Sequence, residues 1–485
     1  MEQSELELDF YDDIFGNDAG EDELPEILSS YFIDKPMFKD FFNPKNRFNI
    51  VRAKKGMGKS AMLSKFSWDR GQEAEDSIVI SLIGSDLLSF GSFQGTDHLT
   101  LQSEWKKAIS ARINLELANH IGFAWTDTQM AVVEASELAG YKGKNLVGSL
   151  LSRIKLKKLP IELTQTKVDN SDTLLSRYMA ENSNISVYLL IDDIDSTFSA
   201  DEIQKARVSS FFSACRSITR DIQGISIRAS VRSDVWTTIR YNEDLDKCEQ
   251  YTTDIRWSNT DLEKIIANKI LSYIKRTYKD AEISWDISHN RSELIELVFM
   301  RRIAWGRSKV TPYTPLRILG AKRPRWMTQV CRLSSRAASD RDMKKVSIQD
   351  INYIMKEFGR LRVNDIYKEH AHQFEHLQLL IECFSGGASQ YKTEPLLKKI
   401  KNSFVAKFDS IADIGYVDTV PCHSELQLAH LLFRIGFIQN RVGTERNPDF
   451  IDYQDRPELL SDPSEKYDSL NWEIHPSYRS ILAIK

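Results

Sequence analysis

Apolar positions in this chain form short continuous runs separated by stretches with helical spacing. Residues 48–51, 77–82 and 187–191 are compact apolar runs between polar turns, the pattern of strands covered on both faces. Residues 225–231 alternate apolar and polar and predict a strand with one face on the core; residues 251–257 predict a short final strand. Between these runs the spacing changes. Trp105, Ile109, Ile113 and Leu117 recur at helical intervals within 103–120, and residues 128–138 and 200–219 read the same way. Leu262, Ile265, Ile266, Ile270 and Leu271 mark another helix over 261–274, and Pro25 suits the first turn of a helix over 24–42. Strands alternating with helices predict an α/β core around a parallel sheet.

Beyond that core the pattern is helical through residue 360. Helices are then expected at 372–384, 395–404 and 424–433, followed by short strands at 437–442 and 449–453. A helix followed by two short strands predicts a winged helix. Its candidate recognition helix carries Glu425 and no Lys or Arg before Arg434, whereas a groove-reading helix is normally basic. A protein-contacting or structural role is therefore favoured there, and nucleic acid is not the favoured partner. His475, before a proline, is expected to be a capping or core histidine.

Candidate chemistry sits at two strand ends. Ala53-Lys54-Lys55-Gly56-Met57-Gly58-Lys59-Ser60 follows the first run and precedes a helix-like segment from Ala61. Strand, glycine loop, Gly-Lys-Ser and helix is the order of a phosphate-binding P-loop (Walker A). Glycines let successive backbone N–H groups turn toward an anion, and the helix N-terminus adds its positive end. Gly56, Gly58, Lys59, Ser60 and Ala61 are thus expected to bind ATP, with Lys59 on the β- and γ-phosphates and the Ser60 hydroxyl on Mg²⁺. The usual first glycine is Ala53. A Gly-Lys-Ser triplet alone is a weak signal, but the strand, Gly56 and the helix are independent requirements.

Val187-Tyr188-Leu189-Leu190-Ile191 ends in Asp192-Asp193, followed by Ile194-Asp195. Asp192 suits the Mg²⁺ carboxylate (Walker B) and Asp193 the residue that polarises attacking water. Asp195 reads as a helix N-terminal or loop carboxylate. The alternating strand ends at Arg232, a candidate γ-phosphate sensor or, equally, a structural ion pair with Asp234.

Composition narrows the class. The chain has 485 residues and no run long and apolar enough to suggest a membrane helix, and its acidic N-terminus lacks the layout of a secretory signal. Five scattered cysteines without a C-x-x-C pair argue for reduced thiols and a cytoplasmic location, against disulfides or zinc. Residues 1–26 hold eleven Asp and Glu and no Lys or Arg, leaving +7 on the remainder of a chain whose net charge is −4. That composition predicts a disordered leader over 1–28. Leu6, Leu8, Phe10, Tyr11, Ile14 and Phe15, interleaved with the carboxylates, leave open a docking or autoinhibitory segment. Residues 141–158 are basic, a solvated face or a nucleic-acid contact.

Together, residues 31–63, Leu190-Ile191-Asp192-Asp193-Ile194-Asp195, Val231-Arg232-Ser233-Asp234-Val235-Trp236, Ile255-Arg256-Trp257, Arg323-Pro324-Arg325 and Glu473-Ile474-His475-Pro476 resemble bacterial P-loop ATPases of the STAND and origin-recognition (Orc/Cdc6-like) AAA+ type. The resemblance implies an α/β P-loop NTPase core over 29–258 with a helical insertion near 84–175, a helical lid over 259–360 and a C-terminal winged-helix domain over 361–485. It also implies that Arg323 or Arg325, at a lid helix start, reaches the phosphates, the alternative being a basic helix edge. Arg240 or Lys247 stands where AAA+ relatives carry a trans-acting arginine. Such ATPases serve as switches in phage defence or mobile-element systems, with a separate effector or self-assembly. The leading expectation is a slow ATPase acting as a molecular switch. A DNA-binding initiator or loader, and a nucleotide-binding scaffold without turnover, are the alternatives.

Overall fold

The computed structural model of the chain describes all residues except 1–7, 11–12, 74–76, 122–125, 139–169, 197, 200, 241–244, 279–284, 307, 445–447 and 464–466. The basic segment at 141–158 lies outside the described residues. The chain forms two units. One comprises Asp34–Lys54 and Lys59–Ile255; the other comprises the stretch ending at Ile33, the loop residues Lys55–Gly58, and everything from Arg256 onward.

The first unit is built on a five-stranded sheet of β1 (Phe48–Ala53), β2 (Ser77–Ile83), β3 (Ser186–Asp192), β4 (Ile225–Arg232) and β5 (Thr252–Asp254). The order is β2-β3-β4-β1-β5, and every pairing is parallel. Helices α1 (Lys59–Glu73), α2 (His98–His120), α3 (Asp127–Leu138), α4 (Ser171–Glu181), α5 (Glu202–Asp221) and α6 (Ser233–Ile239) accompany it. Parallel strands need such crossovers, and these cover both sheet faces. This is an α/β P-loop NTPase fold.

Two expectations change here. β4 does not alternate between core and solvent: Ile225 through Val231 are all buried. It is a central strand, so its polar residues must find partners inside. Arg228 does so by donating to the carbonyls of Phe41 (2.8 Å) and Asn43 (2.9 Å) and lying over the Phe66 ring. The described part of the expected insertion is not an appendage either. Trp105 of α2 packs on Phe211 of α5 and donates to the Arg207 carbonyl at 2.9 Å, so α2 to α4 share the sheet's core.

The second unit holds α7 (Asn259–Thr277), α8 (Ile287–Val298), α9 (Tyr313–Gly320), α10 (Pro324–Ser339), α11 (Ile348–His370), α12 (Leu377–Glu382), α13 (Thr393–Ser403), α14 (Glu425–Arg434) and α15 (Pro476–Arg479). Its antiparallel sheet runs β8 (Pro448–Ile451), β7 (Ile438–Gly443), β9 (Asn471–Ile474), β6 (Gln390–Lys392). α13 and α14 beside that sheet form the winged-helix arrangement. The residues expected as lid and C-terminal domain thus group into one unit.

The leader also departs from expectation over its described residues. Phe10, Ile14 and Phe15 are buried, and Lys269 of α7 donates to the Phe15 carbonyl at 2.6 Å. Asp18 accepts from Gln329 (2.9 Å) and Arg332 (2.5 Å) of α10. A charge count alone marks such a segment as disordered; here Phe10 and Phe15 are covered and Asp18 meets the Arg332 cation. Residues expected as one helix over 24–42 instead form Pro25–Tyr31 and Lys39–Phe42 around a short 3-10 turn. Pro36 sits where that helix would have continued.

Candidate functional site

In open parallel sheets, ligands bind beyond the carboxyl ends of the strands. At that edge the first unit gathers most of the predicted residues. β1 ends at Ala53, directly opposite Arg232 in register, and β3 ends at Asp192, opposite Ile83. Lys59 and Ser60 open α1, with Ala61 following, so the Gly-Lys-Ser triplet lies at a helix N-terminus as the chemistry requires.

Asp192 is fixed by its neighbours: its Oδ1 accepts from the Ser230 hydroxyl and from the Asp193 N–H at 3.0 Å. Asp193 is exposed and has a φ of 50°, the left-handed region that Asp tolerates better than most residues. The turn that puts it there brings Asp193 N–H within 3.2 Å of the Ser230 hydroxyl as well. Non-glycine residues in that region cluster at functional sites. Gly84, just past β2, supports the same turn, since an added Cβ would lie 2.5 Å from the Ile194 backbone.

Asp195, read from the sequence as a helix N-terminal or loop carboxylate, lies in the turn that follows β3. Its side chain is fully buried, and its Oδ2 accepts the Arg232 N–H at 2.7 Å. Burial raises its pKa, against the opposing pull of Lys59 and Arg232. Its Oδ1 has no hydrogen-bond partner among the described residues. Lys59, only 7% exposed, is the charge that opposes this rise most strongly. The signal available in sequence was the i, i+2 spacing from Asp193, which a loop reading makes meaningless and a tight left-handed turn makes decisive. Ser230 was missed for another reason: in an alternating strand it reads as a solvent-facing residue.

Arg232 is engaged in carboxylate contacts. It pairs with Asp234 at 2.6 Å and lies 3.9 Å from Asp195. This is the structural ion pair that the sequence left open as an alternative to a phosphate sensor. Arg240 and Lys247 are exposed.

The second unit contains the loop apex, Lys55 to Gly58. Gly56 has a φ of +77° and Gly58 of +98°. An added Cβ at Gly56 would also come within 3.1 Å of Arg325 Cβ, so position 56 requires glycine twice over. Arg325 donates its backbone N–H to the Gly56 carbonyl at 3.2 Å. Arg323 is buried; its Nη1 donates to Glu369 at 3.0 and 3.1 Å and to the Lys55 carbonyl at 3.3 Å. Burial opposes the Glu369 charge, but Arg323 and His370 outweigh it and hold the carboxyl well below the usual carboxylate range. His475 is a core histidine: one ring nitrogen accepts from Ser477 N–H, the other donates to the Ile318 carbonyl at 2.9 Å, and burial lowers its pKa to about 3.

The residues fit a nucleotide with Mg²⁺. Within the first unit, the start of α1 offers an anion its helix N-terminus, and Ser60 with Asp192 matches the few protein ligands Mg²⁺ usually takes beside phosphates and water. No cluster of three or more metal-ligating side chains occurs among the described residues. All five cysteines are buried, and no disulfide joins them among the described residues. No described helix is long and apolar enough to cross a membrane.

No protein-family model matches the chain, and no curated protein matches it either. Among solved structures it is similar to Cdc6p from Pyrobaculum aerophilum (12% identity, 98% of this chain and 97% of that one, TM-score 0.34). It is also similar to the ORC2 protein of Aeropyrum pernix (10%, 96% and 95%, TM-score 0.41) and to the Walker-type ATPase paby2304 of Pyrococcus abyssi (11%, 97% and 100%, TM-score 0.36). With TM-scores this low, the fold assignment rests on the strand order and the loop.

Proposed function

We propose that the chain is an ATP-binding and slowly hydrolysing molecular switch. The observation that carries the reading is the grouping of Lys59, Ser60, Asp192, Asp193 and Asp195 at the carboxyl edge of one parallel sheet. Lys59 would hold the β- and γ-phosphates by charge. Ser60 and Asp192 would hold Mg²⁺, which supplies neutralisation of phosphate charge when bound. Asp193, exposed at its turn, orients water and takes its proton; the Ser230 hydroxyl keeps Asp192 in place.

The biological setting follows from the motif resemblance alone: the ATPase component of a bacterial anti-phage system, controlling its own assembly or a separate effector from the cytoplasm. The test is ATP binding and turnover by the wild type, Lys59→Ala and Asp193→Asn, with native mass measured with and without ATP. Lys59→Ala is expected to lose binding, and Asp193→Asn to bind but not turn over. Unchanged turnover in Asp193→Asn would leave a nucleotide-binding scaffold. The initiator or loader reading has one observation in its favour, exposed Lys398 and Lys401 on α13. Salt-sensitive duplex binding would favour that reading.

A further inference from the structure

Three consecutive carbonyls of the loop apex are each held by a donor from the second unit. Lys55 O accepts from Arg323 Nη1 (3.3 Å), Gly56 O from the Arg325 N–H (3.2 Å) and Met57 O from Trp257 Nε1 (2.8 Å). The donors come from two separate stretches of chain, Trp257 from one and Arg323 and Arg325 from the other. Two further contacts fix the same apex. Lys55 Nζ lies 3.6 Å from Asp365, and the Met57 side chain is buried.

A trans peptide is planar, with its C=O and the following N–H pointing in opposite directions. Drawing the carbonyls of residues 55, 56 and 57 toward the helices therefore turns the N–H groups of Gly56, Met57 and Gly58 the other way. Successive N–H groups aimed together, with left-handed glycines at 56 and 58, form an anion-binding nest.

We propose that Trp257 and Arg323 are positioning residues for phosphate. They act by holding the backs of the loop's peptide groups, so that Arg323 serves the nucleotide without touching it. Trp257 contributes most cleanly. Its indole N–H can only donate, it makes the shortest of the three bonds, and it is buried. Arg323 divides the same nitrogen between the loop and Glu369. Ordering the nest in advance removes part of the conformational cost of binding.

This inference rests on the nucleotide reading above and is tested separately from it. Affinities for ADP and for adenosine are measured by titration on the full chain, with the thermal midpoint recorded without nucleotide. Trp257→Phe removes the donor and keeps an aromatic ring. Its ADP dissociation constant should rise roughly three- to tenfold, the effect of one lost buried hydrogen bond, while adenosine binds unchanged because it has no phosphate for the nest. If the phenylalanine variant fails to fold, 3-benzothienylalanine at position 257 keeps the indole shape and lacks the N–H, and the same selective loss is expected. Unchanged ADP affinity, or equal weakening of ADP and adenosine, overturns the assignment. A wild type that binds no adenine nucleotide overturns the nucleotide reading itself, and the positioning role with it.

Discussion

Asp195 and Glu369 are both buried carboxylates beside basic side chains, yet their environments drive them in opposite directions. Glu369 faces Arg323 at 3.0 Å and His370 at 3.5 Å, and its pKa falls. Asp195 has one backbone N–H on Oδ2, Arg232 Nε at 3.9 Å, and no hydrogen-bond partner on Oδ1 among the described residues; its pKa rises. A satisfied buried pair is scaffold, and here it braces the loop's Lys55 carbonyl. A buried carboxylate with an oxygen left over is the kind of local inconsistency that proteins keep at functional sites. The contrast separates a satisfied charge that builds the second unit from one that the first unit leaves with an unbonded oxygen among the described residues.

The sharpest test of that contrast is Lys59. Lys59→Ala removes both the proposed phosphate cation and the charge that most strongly opposes the rise of the Asp195 pKa. ATP affinity should fall by roughly a hundredfold or more, as expected for loss of a charge-assisted contact to phosphate. Equilibrium titration with Mg·ATP decides it. Retained affinity would mean that the first unit's charges are structural after all.

Glu369→Gln probes the other side. It leaves Arg323 buried with its counter-charge gone, a change that costs roughly 3–5 kcal/mol for buried pairs. Denaturant unfolding followed by tryptophan fluorescence should show it. The pH dependence has a definite sign. A depressed Glu369 pKa means its stabilisation is complete above the unfolded value near 4.5 and is lost as pH falls below it toward the folded value. An acid limb shared equally by wild type and Glu369→Gln would contradict the pairing.

Lys269 extends the comparison to a buried cation. Burial lowers its pKa to about 8, although Glu23, Asp13 and Asp18 pull it upward. A lysine with a depressed folded pKa costs stability while charged. Below about pH 8 the cost is complete; it fades as pH rises from there toward the unfolded value near 10.5. Wild-type stability should therefore gain on the order of 1–3 kcal/mol across that window, and Lys269→Met should lack the gain. Parallel pH profiles for the two proteins would remove Lys269 from the account.

The five strands, the loop and the Asp192-Asp193 strand end were legible because each rests on local chemistry: apolar runs, glycines before Lys59, carboxylates after Ile191. What escaped required long-range information. Whether Ser230 faces solvent or Asp192 depends on β4 lying between β1 and β3, an order that alternation does not encode. Whether Phe10, Ile14 and Phe15 stay covered depends on Lys269 and Arg332, hundreds of residues away in sequence. Trp257 looked like the end of a strand and became a donor to a carbonyl 200 positions back.

The smallest expected effect lies at Asp195 itself. If its charge is already disfavoured by burial, Asp195→Asn sacrifices little: the amide oxygen can still accept the Arg232 N–H, and the buried charge is gone. Stability at neutral pH should lie within about 1 kcal/mol of wild type, because replacing an imperfectly paired buried charge is often neutral. The pH profile should change in sign-specific fashion. A carboxyl with a raised folded pKa makes wild-type stability decline as pH climbs from about 4 through that folded value, and the asparagine variant should not show this decline. Turnover, by contrast, should fall if Asp195 positions Lys59 for phosphate. A variant several kcal/mol less stable, with turnover unchanged per folded molecule, would make Asp195 a second Glu369 and erase the distinction between the two units' buried charges.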